Sequence, residues 1–261
     1  MALELEGKVA VITGAAQGIG AAIADRLAQE SAYLALCDIN FALVKRQEKK
    51  VSQIRGREAI AIQVDVADRS QVERMRDIVL ERFHRMDILI NNAGICKVCP
   101  IDELEEELWD RLMDVNLKGV YLCTRVLIPG MIKQGNGRIV NISSMAAKIG
   151  GRWMTAYSAS KAGVIGFTKS LAREVAQHGI NVNCVCPGIV STELWHACEP
   201  NHARKLGRSE NTVSSYYRSR IPLGRLCTPE DVAKVVYFLV SPASSYMTGQ
   251  ALNVTGGQQM D

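Results

Sequence analysis

The stretch "KVAVITGAAQGIG" (8–20) decides how the chain is to be read. Its first six residues form a short apolar run rich in Val and Ile, the pattern of a strand buried on both faces. Glycine then recurs at 14, 18 and 20, where the run gives way to the helical pattern of residues 18–30. Gly14 permits a tight turn, Gly18 lets the backbone approach a pyrophosphate, and Gly20 allows close packing of helix on strand. The helix N-terminus offers free N–H groups and a positive dipole end to the same anion. Glycine spacing alone is a weak signal. Its place between a first strand and a first helix makes it a strong one.

Outward from this unit the rhythm repeats. "AYLALCD" (32–38), "AIAIQVD" (59–65), "MDILINN" (86–92), "GRIVNIS" (137–143) and "INVNCVCPG" (180–188) read as further strands. Amphipathic stretches near 40–55, 69–85, 102–130 and 156–178 lie between them. Such alternation means βαβ units and a parallel sheet covered on both faces. Right-handed crossovers then predict a doubly wound, Rossmann-like α/β fold of about seven strands. No linker or repeat divides residues 1–261, so the chain reads as one domain. One stretch breaks the rhythm. Residues 191–222 are polar, with Trp195, Tyr216 and Tyr217 interspersed, and separate the sixth strand from a helix at about 228–240. An insertion at a strand's C-terminal end, where open α/β sheets bind ligands, reads as a substrate lid.

Composition narrows the classes further. A chain of 261 residues, 48% hydrophobic, can bury a substantial core. A net charge of +4 without any basic block gives no support for a nucleic-acid partner. The apolar runs fall short of the ~20 residues a membrane helix needs. The start "MALELEGKVAVITG" lacks the pattern of a cleaved leader, so a cytoplasmic protein is expected. Eight cysteines, at 37, 96, 99, 123, 184, 186, 198 and 227, lack the regularity of a disulfide scaffold. "CKVC" (96–99) has no second pair or histidine cluster to complete a zinc site. All eight read as reduced thiols, and no metal is expected. Of the histidines, His84 and His178 are expected on exposed helix ends, while His196 and His202 could face a substrate from the lid.

Two further features carry chemistry. Asp38 ends the second strand, where a carboxylate can accept both ribose hydroxyls of NAD and repel a 2′-phosphate. No Arg or Lys lies among residues 14–18 or 39–44 to attract that phosphate, so NAD is expected over NADP. "AYSASKAGV" (156–164) places Tyr157 and Lys161 one helical turn apart with small residues between them. A free phenol has a pKa near ~10. A cation ~4 Å away at an effective dielectric of ~20 would favour the phenolate by up to ~4 kcal/mol. That would bring Tyr157 close to the operating pH of a proton-transfer group.

The chain resembles the short-chain dehydrogenase/reductase family, in its classical form. The matching motifs are "TGAAQGIG" (13–20), "DV" (65–66), "NNAG" (91–94), Asn116 in "MDVNLKG", "ISS" (142–144), "YSASK" (157–161) and "PGIVST" (187–192), in the family's order. The resemblance implies that Tyr157 is the general acid/base, and that Lys161 lowers its pKa and binds the nicotinamide ribose. Ser144 would hydrogen-bond the substrate oxygen, with Ser143 the alternative. Asn116 would hold a water in a proton relay with Lys161. Gly14, Gln17, Gly18, Ile19, Gly20 and Asp38 would hold the cofactor from the loop and second strand, and Asp65 and Val66 its adenine. Asn92 and Gly94 would meet the adenine-side ribose and pyrophosphate region, and Pro187, Val190 and Thr192 the nicotinamide carboxamide. The implied reaction is reversible oxidation of a secondary alcohol by hydride transfer to NAD. The family also implies a homotetramer, or a dimer.

Substrate identity is less deeply written. Pocket walls are expected from 94–99, 145–155 and the lid, making Cys96, Arg152, Trp153, Glu193, Trp195 and His196 candidates beside Ser144. This is a polar set, suited to a small polyol, sugar acid or vicinal diol, and the tail "NVTGGQQMD" and the lid resemble bacterial polyol and diol dehydrogenases of the family. A 3-ketoacyl-type reductase is the enzymatic alternative. A nucleotide-binding scaffold without catalysis is the other, opposed by the presence of both Tyr157 and Lys161.

Overall fold

The computed structural model describes residues 4–54 and 56–261, with residues 210–212 described in their backbone alone. Seven strands, β1 (Val9–Thr13), β2 (Tyr33–Asp38), β3 (Ala59–Gln63), β4 (Ile88–Asn91), β5 (Gly137–Ile142), β6 (Ile180–Pro187) and β7 (Ala251–Val254), form one sheet. Their order is β3-β2-β1-β4-β5-β6-β7, and every pairing is parallel. The sequence of the sheet reverses direction between β1 and β4. A crevice opens there at the carboxyl ends of the strands.

Among the described residues ten α-helices clothe the sheet: α1 (Gly18–Gln29), α2 (Phe41–Ser52), α3 (Arg69–Phe83), α4 (Glu106–Met113), α5 (Gly119–Gln134), α6 (Ala146–Ile149), α7 (Thr155–Val175), α8 (Glu193–Leu206), α9 (Glu210–Arg218) and α10 (Pro229–Val240). Alternate strand residues serve the two faces. Ala10, Ile12, Leu34 and Leu36 pack with Ile23 and Leu27 of α1, Val44 of α2 and Val236 of α10. Val9, Val11, Ala35 and Leu89 pack with Met75 of α3, Leu127 of α5 and Val175 of α7. Two buried faces explain why each strand reads as an unbroken apolar run. Each fully buried leucine or isoleucine, such as Leu27 or Ile12, contributes roughly 1.5–3 kcal/mol.

Helix starts follow local chemistry. Asn40 accepts from Leu43 N–H at the head of α2, Asp68 caps α3, and Thr228 and Asp231 form a reciprocal capping box on α10. The head of α1 is different. Gln17 there makes no side-chain cap bond.

Two expectations are refined. The amphipathic stretch 102–130 resolves into a short 3-10 turn, α4, a π-turn over Asp114–Lys118, and α5, which runs on to Gln134. The wider π-turn carries Asn116, a place where such bulges serve function. The polar stretch 191–222 is not irregular but holds α8 and α9, which pack on each other. Among the described residues no helix is long and apolar enough to cross a membrane.

Candidate active site

The crevice at the strand ends is one continuous cleft of ≈ 910 Å³. At one end lies the loop between β1 and α1. A Cβ on Gly20 would sit 2.1 Å from the Gly14 carbonyl oxygen, so glycine alone lets α1 approach the loop. Asn92 donates from Nδ2 to the carbonyls of Thr13 (3.0 Å) and Gly14 (2.9 Å), pinning the turn from β4. The Asp38 carboxylate accepts from Ala16 N–H (3.1 Å) and Asn40 N–H (2.9 Å), which fixes it beside the loop at the end of β2. Gly14, Gln17, Gly18, Ile19, Asp38, Asp65, Val66, Asn92, Gly94, Pro187, Val190 and Thr192 all line the cleft, as expected of a nucleotide track; Gly20 acts from behind it. The Asn92 amide nitrogen is committed to the loop, because both its Nδ2 bonds go to backbone. Arg111 is an addition that local sequence around Asp38 could not reveal. It arrives from α4 and is paired with Asp65 at 3.0 Å.

Tyr157 and Lys161 lie on the first turns of α7, 9% and 4% exposed. Lys161 Nζ donates to the Ile142 carbonyl (2.8 Å) and lies 5.9 Å from the centre of the Tyr157 ring. Ser143 Oγ donates to the Lys161 carbonyl (2.7 Å), so it is occupied in holding α7 to β5. Ser144 Oγ instead hydrogen-bonds the Tyr157 hydroxyl and accepts from Ala146 N–H at 3.1 Å. The choice between the serines falls on Ser144. Asn116 is fully buried; its Oδ1 accepts from Ile95 N–H (2.8 Å), and its Nδ2 donates to the Ile95 carbonyl (2.9 Å) and Ser160 Oγ (3.1 Å). A Cβ on Gly94 would stand 3.2 Å from both Asn116 Oδ1 and Lys161 Nζ, which places these two groups around one backbone point.

Electrostatics correct one expectation. Burial pushes the Tyr157 phenol well above its ordinary value, and the nearby Cys96 adds to that, while the Ser144 hydrogen bond opposes it. Burial likewise pushes Lys161 down, to about 8. Loss of water disfavours both ionic forms, so the lysine's field does not bring the phenol toward neutrality here. At pH 7 the pair is a neutral phenol beside a still protonated amine.

The substrate end departs from the expected polar set. Cys96, Arg152, Trp153 and Trp195 do line the cleft. His196 does not: its side chain is 59% exposed, with Nδ1 3.4 Å from Glu199. Glu193 lines the cleft beside the glycine loop, its Oε2 3.5 Å from where a Gly18 Cβ would be. In their place come His202, Tyr216, Tyr217, Met154 and Gln258. Trp195 and Tyr217 meet edge-on at 5.4 Å, and His202 Nδ1 is 3.2 Å from the Tyr217 hydroxyl. Burial pushes His202 down, so it is neutral at pH 7. The signal for this exchange was helical spacing. Trp195, Cys198 and His202 share one face of α8, and His196 turns away from it.

Trp153 holds a left-handed backbone (φ 60°), and its carbonyl accepts from Cys99 N–H at 2.7 Å. Such a conformation costs roughly 1–2 kcal/mol for a non-glycine residue. The Arg152 guanidinium stacks over its ring at 4.2 Å. Two buried polar atoms on cleft-lining residues lack hydrogen-bond partners: Trp195 Nε1, a donor, and Gln258 Oε1, an acceptor.

A parallel sheet with its glycine turn at the switch point, a Ser–Tyr–Lys cluster and a buried asparagine together define a nucleotide-dependent oxidoreductase of the Rossmann type. The chain belongs to the short chain dehydrogenase family, whose model matches residues 8–203. It is 42% identical to a 3-oxoacyl-(acyl-carrier-protein) reductase of Thermotoga maritima, over 98% of this chain and 99% of that one. Among solved structures it is similar to an NAD+-bound xylitol dehydrogenase (TM-score 0.93, 32% identity, 97% and 100% covered). It is similar also to an actinorhodin polyketide ketoreductase with NADPH (TM-score 0.94, 37% identity, 99% of each covered). As a member of this family the chain is an oxidoreductase acting on CH–OH groups.

Proposed function

We propose that the protein is an NAD(H)-linked oxidoreductase interconverting a secondary alcohol of a small polyhydroxylated compound and the corresponding ketone. The observation that carries the cofactor assignment is Asp38, held by two backbone N–H groups at the mouth of the glycine loop. A 2′-phosphate there would put like charges in contact, and Arg111, the cleft-lining cation on that side among the described residues, is engaged by Asp65. The residues fit a dinucleotide: the head of α1 has no side-chain cap, and a Cβ at Gly20 would collide with the loop that bends around it. When bound, the nicotinamide supplies the hydride acceptor.

The chain's own residues do the rest. Ser144 holds the substrate oxygen, and Tyr157, hydrogen-bonded to it, takes the hydroxyl proton or returns it to a ketone. Lys161 places a positive charge behind the phenol and binds the nicotinamide ribose. Asn116 supports the proton path from the π-turn. The neutral phenol found at pH 7 suits the donating direction, ketone to alcohol.

Polyhydroxylated substrates are supported by the wall chemistry. Flat rings of Trp153, Trp195 and Tyr217 offer apolar faces, and Ser144, Tyr216 and Tyr217 bring to the same cleft hydroxyls that both donate and accept hydrogen bonds, as the hydroxyls of a polyol do. The similarity to a xylitol dehydrogenase points the same way, and that to a 3-oxoacyl reductase points to the alternative. Turnover of NAD and NADP against polyols, diols, hydroxy acids and 3-ketoacyl thioesters decides between them. Expected are a polyol or diol and a preference for NAD of ~100-fold or more. Asp38→Ser with Ile39→Arg should narrow that preference. Equal use of NADP by the wild type, or preference for the thioester, would overturn the assignment.

A further inference from the structure

Among the described side chains, two hydrogen bonds join α8 to α9, one helical turn apart on each. Ser214 Oγ donates to Glu199 Oε1 (2.5 Å), and the Tyr217 hydroxyl lies 3.2 Å from His202 Nδ1. The first tie lies outside the cleft, where Glu199 also meets His196. The second lies in its wall, since Tyr217 and His202 both line the cleft. His202 is buried and Tyr217 half-buried. The rings of Trp195, His202 and Tyr216 meet the Tyr217 ring nearly edge-on, at 5.4, 5.7 and 5.2 Å. That packing fixes the ring and leaves the hydroxyl as its working end. Burial pushes the phenol up and the imidazole down, so both are neutral at pH 7. From Thr192, which packs beside Gly18, to His202 the helix rises roughly 15 Å at ~1.5 Å per residue. The pair thus stands well away from the glycine loop, where substrate rather than pyrophosphate is the neighbour.

We propose that Tyr217, oriented by His202, is a specificity-determining residue whose hydroxyl engages a second hydroxyl of the substrate, remote from the carbinol that is oxidised. This rests on the polyhydroxylated substrate class argued above and names the residue that reads it. A phenol oxygen offers one donor and two acceptor positions, and a neutral imidazole nitrogen occupies one of them. Where Nδ1 bears the proton, the phenol O–H is free to donate. Where it does not, the phenol donates to Nδ1 and its lone pairs are free to accept. A substrate hydroxyl, donor and acceptor at once, satisfies either arrangement. A methylene in the same place would strip the phenol of water and give no hydrogen bond in return. Joining the helices does not require a place in the cleft, because the Ser214–Glu199 bond already joins them outside it. His202 is accordingly a positioning residue, and Tyr217 the group that meets the substrate.

The test measures steady-state kinetics of the full chain with NAD on xylitol, galactitol and 2,3-butanediol, and on 2-butanol, which has no second hydroxyl. Where 2-butanol turns over too slowly, its inhibition constant against the polyol takes the place of KM. Tyr217→Phe keeps the ring and removes the hydroxyl alone. It should raise KM for the best of the polyols about five- to tenfold, the worth of one hydrogen bond, with kcat within about threefold of wild type. The constant for 2-butanol should move by less than about twofold. His202→Leu should reproduce the rise in KM, and His202→Gln, which offers both a donor and an acceptor, should recover most of it. The double variant Tyr217→Phe with His202→Leu should be no worse than either alone, because both act through one contact. His196→Ala, on the outer face of the same helix, should behave as the wild type. An equal rise for polyol and 2-butanol, or full additivity in the double variant, would reduce the pair to a structural tie and overturn the proposal. A wild type that oxidises none of the polyols would overturn it together with the substrate class. Polyol oxidation with an unchanged KM in Tyr217→Phe would overturn the proposal alone.

Discussion

Lys161 is the residue at which function and stability pull hardest against each other. Its ammonium is 4% exposed, has one protein acceptor in the Ile142 carbonyl, and has its pKa lowered from 10.5 to about 8. At about 1.4 kcal/mol per tenfold, holding the charge in the folded protein costs about 3 kcal/mol. The sign follows from linkage. Above pH 10.5 lysine is neutral in both states and the penalty vanishes; as pH falls through about 8 the folded state must take up a proton it binds poorly, and the full cost is present. Lys161→Met keeps the length of the side chain and removes the charge, but leaves the Ile142 carbonyl without its donor, a loss of about 1 kcal/mol. The variant should therefore be more stable than the wild type by about 2 kcal/mol at pH 7. The advantage should shrink across pH 8 to 10 and reverse to a small deficit above it. Urea unfolding of both proteins at a series of pH values measures this directly, with turnover assayed in parallel and expected to be lost. A variant less stable than the wild type at pH 7, or a difference that does not vary with pH, would refute the reasoning.

Tyr157→Phe should bind NADH nearly as the wild type does, yet lose turnover by several orders of magnitude; a tenth of wild-type kcat remaining would remove Tyr157 from the proton path. In the wild type, alcohol oxidation should climb steadily from pH 7 into the alkaline range, since burial holds the phenol protonated, while ketone reduction should not; matching profiles in the two directions would contradict that. The two serines should separate by assay. Ser143→Ala should cost roughly 1–2 kcal/mol of stability through the bond to the Lys161 carbonyl, seen in the denaturation midpoint. Ser144→Ala should leave the midpoint nearly unchanged and lower kcat. Light scattering should find a tetramer, and a monomer at micromolar concentration would count against it.

Much of this architecture is legible in short stretches of chain. Strands buried on both faces betray themselves as apolar runs, and the glycine turn combines with its flanking strand and helix into one local signal. Tyr157 and Lys161 are one turn apart, so their partnership is also a local fact. What failed was non-local. In the sequence, residues 191–222 read as a polar lid insertion, which makes Trp195 and His196 equal candidates for the pocket wall. As a helix the segment selects by spacing, and Trp195, Cys198 and His202 turn inward while His196 meets Glu199 outside. Arg111 and Gln258 come from remote elements, and nothing in their neighbourhoods marks them for the cleft. The phenol's titration failed for a different reason. A pairwise Coulomb argument sees the lysine but not the water that both groups lose.

The clamp of Asn92 on the glycine loop has a consequence for the order in which the protein is made. β1 and its loop leave the ribosome first, yet β1 at the centre of the sheet pairs with β4, and the loop carbonyls find their donor in Asn92 just beyond it. Thr192, which packs over Gly18, arrives later still. A nascent chain that ends before β4 thus carries the glycine motif in its sequence but not its shape. Closing such distant segments is slow compared with forming a helix, and elongation at ~5–20 residues per second leaves β1 exposed for several seconds. The loop that would cradle a pyrophosphate thus takes its shape only after β4 and Asn92 have been made.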